Sequence, residues 1–139
     1  MDKRNQQGGI TRLRGAGLRP TRQRLALCRI LLDRGNRHVT AEQIHGEARA
    51  ANLSISLATV YNTLHQFTEA GLLREVVVDA GRTYFDTNVA DHHHFFDPRS
   101  GQLEDIPGAR IVLNRVPPAP PGKRIARVDV ILRLADDTE

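Results

Sequence analysis

Apolar residues recur every three or four positions between residues 54 and 71, which predicts an amphipathic helix there. The predicted apolar stripe consists of Leu57, Val60, Leu64 and Phe67. Ser56 precedes the stripe as an N-cap, and Gly71 follows it where a left-handed residue can end a helix. The opposite face carries short or hydrogen-bonding side chains: Ala58, Thr59, Tyr61, Asn62 and Gln66. Such a face could enter a DNA major groove, or it could be the solvated side of an ordinary helix.

The same periodicity predicts three further helices upstream of this one. After a polar, frayed start over residues 1–9, they cover residues 10–15, 21–34 and 40–52. Thr40 and Gln43 form the capping box of the third helix, and Gly35 ends the second. The second and third helices direct six apolar side chains toward a core: Leu25, Cys28, Leu31, Leu32, Ile44 and Ala48.

Beyond the helices, alternation of apolar and polar residues predicts β-strands. Residues 72–78 and 82–86 form a hairpin across the turn tripeptide Asp79-Ala80-Gly81. Helices followed by such a hairpin indicate a winged helix, which is a helix-turn-helix variant. Further strands are predicted over residues 92–96, 102–106 and 110–116, and over 126–134 after a proline-rich link at 117–121.

The predicted fold class is α+β, with two domains. Residues 1–86 form a winged-helix DNA-binding domain, residues 87–91 a hinge, and residues 92–139 a small α/β domain for dimerisation and for metal or haem sensing. The second sheet is too small to be stable on its own. Ile131 also interrupts its alternation with an apolar side chain on the outer side. We therefore expect a homodimer that pairs through this domain.

Charge is distributed unevenly along the chain. Residues 1–40 hold ten Lys and Arg against two acids, whereas residues 41–139 hold ten against fourteen. The positive charge is almost wholly arginine, whose planar fork suits phosphate oxygens and guanine edges, so double-stranded DNA is the expected partner. The acidic remainder requires another partner, such as a cation or a second subunit.

Composition excludes several classes of protein. No apolar run approaches the ~20 residues of a membrane span, and the N-terminus lacks the apolar stretch of a signal peptide. We expect a cytoplasmic protein with no membrane partner. Cys28 is the single cysteine, which excludes an internal disulfide and a structural zinc site caged by cysteines. Its place on the apolar side of a helix indicates a core thiol.

Histidines supply the candidate chemistry. On a strand, His92 and His94 point to one face and His93 to the other. His38, Asp86 and Asp105 can join them in a nitrogen–oxygen site for Fe2+, Mn2+ or Zn2+. One imidazole of the triplet could also ligate haem iron, so His92, His93 and His94 form a candidate haem site. The spacing fits equally well with a triplet of surface polar residues at a domain junction.

The chain resembles the ferric uptake regulator family across about residues 10–106. The resemblance is carried, in order, by residues 17–24, 38–42, 57–64, 81–86 and 92–94. Within the family, the internal triple histidine, the lack of metal-binding cysteine pairs and the proline-rich link most resemble the haem-responsive iron response regulator subgroup. Asp97 and Ser100 stand where typical members carry a Cys-x-x-Cys zinc pair, so that zinc site is expected to be absent.

The resemblance implies a dimeric, metal- or haem-responsive regulator, mainly a repressor in iron and haem homeostasis, that binds AT-rich inverted repeats. A haem-delivering protein is a further possible partner. The implied ligands of the regulatory metal are His38, Asp86, His92, His94 and Asp105. We expect phosphate contacts from Arg12, Arg14, Arg19 and Arg22, and base contacts from Ala58, Thr59, Tyr61 and Asn62.

Two other functions fit parts of this pattern. A peroxide or manganese sensor of the same family would use the same ligands. A non-haem iron enzyme could use two histidines and a carboxylate with open positions. The enzyme lacks a recognisable substrate pocket and leaves the arginine-rich first forty residues unexplained, so we expect no catalytic residues.

Overall fold

The computed structural model describes residues 3–79 and 81–137. The predicted turn residue Ala80 and the chain ends, residues 1–2 and 138–139, lie outside these ranges. The chain divides after Val89 into an N-terminal and a C-terminal compact unit, and the predicted hinge at residues 87–91 stays a prediction. Within the described ranges, no helix has both the length and the apolar character needed to cross a bilayer.

Four helices build most of the N-terminal unit: α1 (Lys3–Gly15), α2 (Arg22–Leu32), α3 (Ala41–Ala50) and α4 (Leu57–Glu69). The predicted caps of α3 and α4 are confirmed, since Thr40 accepts the Gln43 N–H and Ser56 accepts the Thr59 N–H. Gly71 follows α4 with a φ of 84°, as the sequence predicts. The start of α1 is wrong by seven residues, because its first turns are polar and carry no apolar periodicity.

The core of the N-terminal unit lies between these helices and the wing. Its buried side chains include Leu13, Leu27, Cys28, Leu31, Ile44, Val60, Leu64, Phe67 and Phe85. The prediction for Leu57 is wrong, because its side chain is 40% exposed. Leu57 is the first residue of α4, and helical side chains lean toward the N-terminus, so it lies beyond the packed turns. Leu25 and Leu32 are only partly buried, and Leu27 takes the fully buried position in α2.

The first sheet is antiparallel and has the order β1-β3-β2, with β1 at His38–Val39, β2 at Arg74–Asp79 and β3 at Arg82–Asp86. Strands β2 and β3 form the predicted wing hairpin, and the Gly81 N–H donates to the Asp79 carboxylate in its turn. Strand β1 was not predicted, because two residues are too few to show a period. It completes a winged helix and lays His38 opposite Asp86.

A fork of hydrogen bonds ties α3 to the segment before β1. The Arg37 guanidinium donates from Nη2 to Glu47 Oε2 at 2.7 Å and from Nη1 to Glu47 Oε1 at 2.9 Å. Its Nη1 also donates to the Ile30 carbonyl in α2 at 3.1 Å. These hydrogen bonds from Arg37 hold the pKa of Glu47 below its usual value, and the charges of Arg37 and Arg34 act in the same direction.

The contribution of the Glu47 carboxylate to stability should depend on pH. Glu47→Gln should lower the free energy of unfolding at pH 7 by about 1–2 kcal/mol. Because the pKa of Glu47 is lower in the folded chain, its contribution is complete above the unfolded-state pKa and is lost as pH falls through the folded-state pKa. Urea unfolding of both proteins at pH 7 and below pH 4 measures this difference. Glu69→Gln, at an exposed position of α4, should leave the free energy of unfolding at pH 7 unchanged.

The C-terminal unit is a three-stranded sheet of order β5-β4-β6, with β4 at His92–Asp97, β5 at Gln102–Pro107 and β6 at Ile131–Arg133. Strand β4 pairs antiparallel with β5 and parallel with β6. The β4–β5 turn is closed by its own polar residues. The Asp97 carboxylate accepts the Arg99 N–H, and the Ser100 hydroxyl accepts the Gln102 N–H. Asp97 and Ser100 therefore stabilise the turn.

Two strand predictions in this unit are wrong. The predicted strand at residues 110–116 does not form, and a single 3₁₀ turn at Gly108–Arg110 precedes an irregular segment. The last strand has three residues rather than nine, because only Ile131–Arg133 lies in register with residues 94–96 of β4, and the ladder ends with hydrogen bonds to the Val130 carbonyl and from the Leu134 N–H. Many apolar side chains between residues 112 and 134 are consequently exposed: Val112, Leu113, Val116, Ile125, Val128, Leu132 and Leu134. A homodimer that covers them stays a prediction.

Candidate metal centre and nucleic-acid interface

In the N-terminal unit, β1 and β3 bring together an imidazole and a carboxylate. His38 Nε2 lies 3.1 Å from Asp86 Oδ2, and the Asp86 side chain is completely buried. Its other oxygen, Oδ1, accepts the Asn88 N–H at 2.9 Å. A buried carboxylate requires a hydrogen-bonding or positively charged neighbour. This pair is suited to contribute one nitrogen and one oxygen ligand to a cation.

In the C-terminal unit, strand alternation buries two imidazoles of the triplet. His92 and His94 are each 4% exposed, and their rings lie 4.5 Å apart. Both Nε2 atoms lie 3.3 Å from the same oxygen, Oδ1 of Asp105. The register of β4 and β5 produces this convergence, since Asp105 stands opposite His94. The alternative that the triplet is a set of surface polar residues is therefore wrong.

The hydrogen bond behind His92 determines which ring nitrogen can bind a metal. His92 Nδ1 lies 2.5 Å from the Ala90 carbonyl oxygen, which can only accept, so we assign the proton to Nδ1. In the neutral ring, Nε2 then presents a lone pair toward the Asp105 oxygen. That contact is repulsive unless a proton or a cation lies between the two atoms. Backbone carbonyls commonly orient metal-binding histidines in this way.

These donors pass a chemical test for a divalent ion. They are imidazole nitrogens and carboxylate oxygens without sulfur, a set that suits Fe2+, Mn2+ or Zn2+. Three of the predicted ligands, His92, His94 and Asp105, converge within the C-terminal sheet. The other two, His38 and Asp86, meet within the N-terminal sheet. Each unit thus holds part of the predicted ligand set.

His93 lies on the other face of β4, as the sequence predicts, but it has a backbone partner there. The Val130 N–H donates to His93 Nδ1 at 3.0 Å. An Nδ1 that accepts leaves the proton on Nε2 in the neutral ring. Haem ligation through Nε2 would therefore compete with the hydrogen bond that anchors the chain just before β6. A haem site at His92, His93 and His94 stays a prediction.

The outer face of α4 is presented to solvent as a reading helix requires. Ala58, Tyr61 and Asn62 are exposed, and Thr59 is half-buried. The Thr59 hydroxyl accepts a hydrogen bond from the Ser56 hydroxyl at 2.8 Å. The Tyr61 ring packs edge-on against His65, with 4.6 Å between centroids. This contact holds the Tyr61 ring in place while the side chain stays 43% exposed.

A polar groove runs between the start of α2 and this face of α4. It is lined by Arg19, Thr21, Gln23, Arg24, Thr59, Asn62, Thr63 and Gln66. Arg24 spans it, because its guanidinium donates to the Arg19 carbonyl and to Gln66 Oε1, each at 3.0 Å. Arg24 is not among the DNA contacts predicted from the sequence, although it lies in this groove. Its position in the basic run from Arg19 was the available signal.

The remaining predicted phosphate contacts are exposed side chains of the same unit. Arg12 and Arg14 lie in the last turn of α1 on either side of the buried Leu13. Cations are favoured at a helix C-terminus, so the fold tolerates this charge density. Arg19 precedes α2, and Arg22 is its first residue. The DNA-binding role of these residues stays a prediction.

Comparison with known proteins gives the family. The model of the ferric uptake regulator family matches residues 15–115. The chain belongs to the ferric uptake regulator family. Members of this family are metal-responsive transcriptional regulators that bind DNA, and they are not enzymes. The prediction that the chain is not an enzyme is confirmed.

Individual family members show how far the likeness extends. The ferric uptake regulation protein of Bordetella parapertussis is 40% identical over 81 residues, covering 58% of each chain. A peroxide-responsive repressor of Staphylococcus epidermidis is 34% identical over 97 residues, covering 70% of this chain and 64% of the relative. The matches thus span about three-fifths of the length of these curated relatives.

A solved structure of the same family superposes over nearly the whole chain. It is the ferric uptake regulator of Pseudomonas aeruginosa, determined with manganese. It is 26% identical, with a TM-score of 0.72 and coverage of 94% of this chain and 98% of that one. This likeness confirms the α+β fold class of the family.

Proposed function

We propose that this family member is a metal-responsive transcriptional regulator that binds double-stranded DNA as a homodimer. Its regulatory divalent ion would be held by five side chains: His38, Asp86, His92, His94 and Asp105. The observation that carries the proposal is the convergence of two buried imidazole nitrogens on one Asp105 oxygen, 3.3 Å from each. Buried donors arranged around one point are characteristic of a metal site and uncommon in a solvated surface.

The proposed mechanism depends on ligands that come from both compact units. A bound ion would place positive charge beside the buried Asp86 carboxylate and the partly exposed Asp105 carboxylate. His38 and Asp86 would then be tied to His92, His94 and Asp105, and the orientation of the reading helix relative to the dimer would be restricted. The two half-sites of an operator have a fixed spacing along the duplex. A restricted orientation of the reading helix would therefore favour the arrangement in which both helices of the dimer bind at once. Allosteric coupling of this kind typically amounts to about 1–3 kcal/mol.

The signal that we favour is iron status, with the protein acting mainly as a repressor at AT-rich inverted repeats. The triple histidine and the lack of cysteine pairs support an assignment to the iron response regulator subgroup. The hydrogen bonds of Asp97 and Ser100 also support it, because they close the turn without zinc. A peroxide or manganese signal is the second candidate. It is supported by the peroxide-responsive relative and by the family structure determined with manganese.

Haem would be a second signal under this proposal. Its effect would depend on whether it binds His93 or one of the two metal-site histidines, His92 and His94. If haem iron took His93, the Val130 hydrogen bond would be lost and the start of β6 released. If haem took His92 or His94, it would displace a ligand of the divalent ion. Only the second route would compete directly with binding of the divalent ion.

The test is a DNA-binding titration on an AT-rich inverted repeat by fluorescence anisotropy. We expect at least about fivefold tighter binding with Mn2+ or Fe2+ than with chelator, and weaker binding when haem is added. Equal affinity for operator and random duplex under every condition would refute the proposal. Peroxide treatment of the iron-loaded protein separates the two signals, since lasting loss of DNA binding would favour a peroxide sensor.

Two substitutions separate the roles of the proposed DNA contacts. Arg19→Ala should weaken binding to operator and random duplex alike, and should lower the slope of log K against log salt by about one. Tyr61→Ala should instead reduce discrimination between them by about 1–3 kcal/mol. Affinities measured at several salt concentrations on both duplexes test this. A sequence-specific loss in Arg19→Ala would contradict the phosphate assignment.

A further inference from the structure

Strand β1 has two residues, and the structure anchors it on both sides. Thr40 caps α3 immediately after the strand, and Val39 is completely buried. Before the strand, the Arg37 N–H donates to the Thr87 hydroxyl at 2.8 Å, and the Thr87 N–H donates to the Arg37 carbonyl at 3.1 Å. The backbone of Arg37 therefore extends the ladder that aligns His38 with Asp86.

The side chain of the same residue reaches the helices. Arg37 holds Glu47 of α3 through two hydrogen bonds and also donates to the Ile30 carbonyl of α2. The Arg37 side chain is 15% exposed and that of Glu47 is 22% exposed, so solvent screens the pair only partly. A fork of two charge-assisted bonds fixes direction as well as distance. A displacement of the strand that carries His38 would therefore be transmitted to α2 and α3 through these hydrogen bonds.

We propose that the Arg37–Glu47 pair transmits metal occupancy at His38 and Asp86 to the helix-turn-helix. This inference rests on the proposed function and concerns its regulation. Neither residue is a candidate metal ligand or a candidate DNA contact, so both are positioning residues. If His38 and Asp86 shifted on holding a divalent ion, Arg37 would move with the adjoining strand and would displace α3 through its hydrogen bonds to Glu47. Helix α3 shares its core with α4, because Ile44 belongs to the same buried cluster as Val60 and Leu64.

The geometry predicts a particular signature. If the pair served stability alone, its loss would lower the melting temperature and leave the metal response of the folded protein intact. If it couples the ligands to the helices, its loss reduces the metal response while metal affinity and metal-free DNA affinity persist. The lowered pKa of Glu47 agrees with a carboxylate that is ionised and paired near neutral pH.

The experiment measures three quantities for the full chain and for Glu47→Gln. These are the Kd for Mn2+, the Kd for an AT-rich inverted repeat with chelator, and the same Kd with saturating Mn2+. We expect the ratio of the two DNA constants to fall at least about fivefold in Glu47→Gln. The other two constants should stay within about twofold of wild type. Thermal melts establish that each variant is folded at the assay temperature.

Arg34→Gln is the matched control. Arg34 also contacts Glu47, at 3.3 Å, but its side chain is 69% exposed. Its substitution should leave the ratio unchanged. Arg37→Lys keeps the charge and loses the fork, so it should reduce the ratio even if Glu47→Gln fails to fold.

The outcomes are distinct. A wild-type ratio of one would overturn the proposed function and this inference with it. A normal wild-type ratio that persists in folded Glu47→Gln and Arg37→Lys would overturn the inference alone. An equal fall of the ratio in Arg34→Gln would also contradict it, because general loss of charge would then explain the effect.

Discussion

His94→Ala is expected to lower the affinity for Mn2+ by at least about 100-fold and to remove the metal-dependent gain in DNA binding. Mutation of residues that merely orient metal ligands typically costs 10–100-fold, so loss of a ligand should cost at least as much. His94 is 4% exposed, and its Nε2 lies 3.3 Å from the Asp105 oxygen that also faces His92. Its removal takes away one of the two imidazole nitrogens that converge on the Asp105 oxygen.

The neighbouring His93 offers a control within the same strand. His93→Ala keeps His92, His94 and Asp105 in place, because His93 projects from the other face and accepts from Val130. We expect its Mn2+ affinity to stay within a few-fold of wild type. Isothermal titration with Mn2+ and anisotropy on an operator duplex measure both effects. Equal losses in the two variants would show that strand integrity, rather than ligation, explains the result.

Phe67→Ala is expected to reduce the free energy of unfolding of the N-terminal unit by about 3–5 kcal/mol. Phe67 is completely buried and belongs to the cluster that joins α4 to α2, α3 and β3. Truncation of a fully buried ring removes transfer free energy and leaves a cavity that the surrounding helices fill only in part. The loss is a large fraction of the stability of an ordinary domain.

Leu57→Ala in the same helix supplies the comparison. Periodicity places both residues in one stripe, yet Leu57 is 40% exposed and Phe67 is not exposed at all. We expect Leu57→Ala to cost only about 1 kcal/mol, because a large part of the Leu57 side chain is already in contact with water. Urea unfolding followed by circular dichroism measures both variants. Similar costs would contradict the burial described for the first turn of α4.

The winged helix was predictable because its signals are local. The caps at Thr40 and Ser56, the stop at Gly71 and the stripe of Val60, Leu64 and Phe67 each depend on residues within a few positions of one another. The same holds for the alternation of His92, His93 and His94 on one strand. These features follow from the geometry of a single helix or strand and need no tertiary contact.

Features that depend on distant partners were missed. Strand β1 exists because residues 38–39 pair with β3, nearly fifty positions away. Strand β6 keeps only Ile131–Arg133 because its ladder with β4 ends at the hydrogen bonds of the flanking Val130 and Leu134. The fork between Arg37 and Glu47 likewise joins a loop to a helix, and nothing in either segment indicates the other. Pairing at long range is decided by packing, which a local pattern does not encode.

By itself, the sequence determined which chemistry this protein can hold: imidazoles and carboxylates without thiolates, an arginine-rich start, and a helix with a polar reading face. Residue identity and local periodicity suffice for that. Only the tertiary structure decided that His92 and His94 are buried against one Asp105 oxygen, and that His93 is engaged with Val130. Strand register and burial decide these contacts, because they depend on which residues separate segments bring opposite one another.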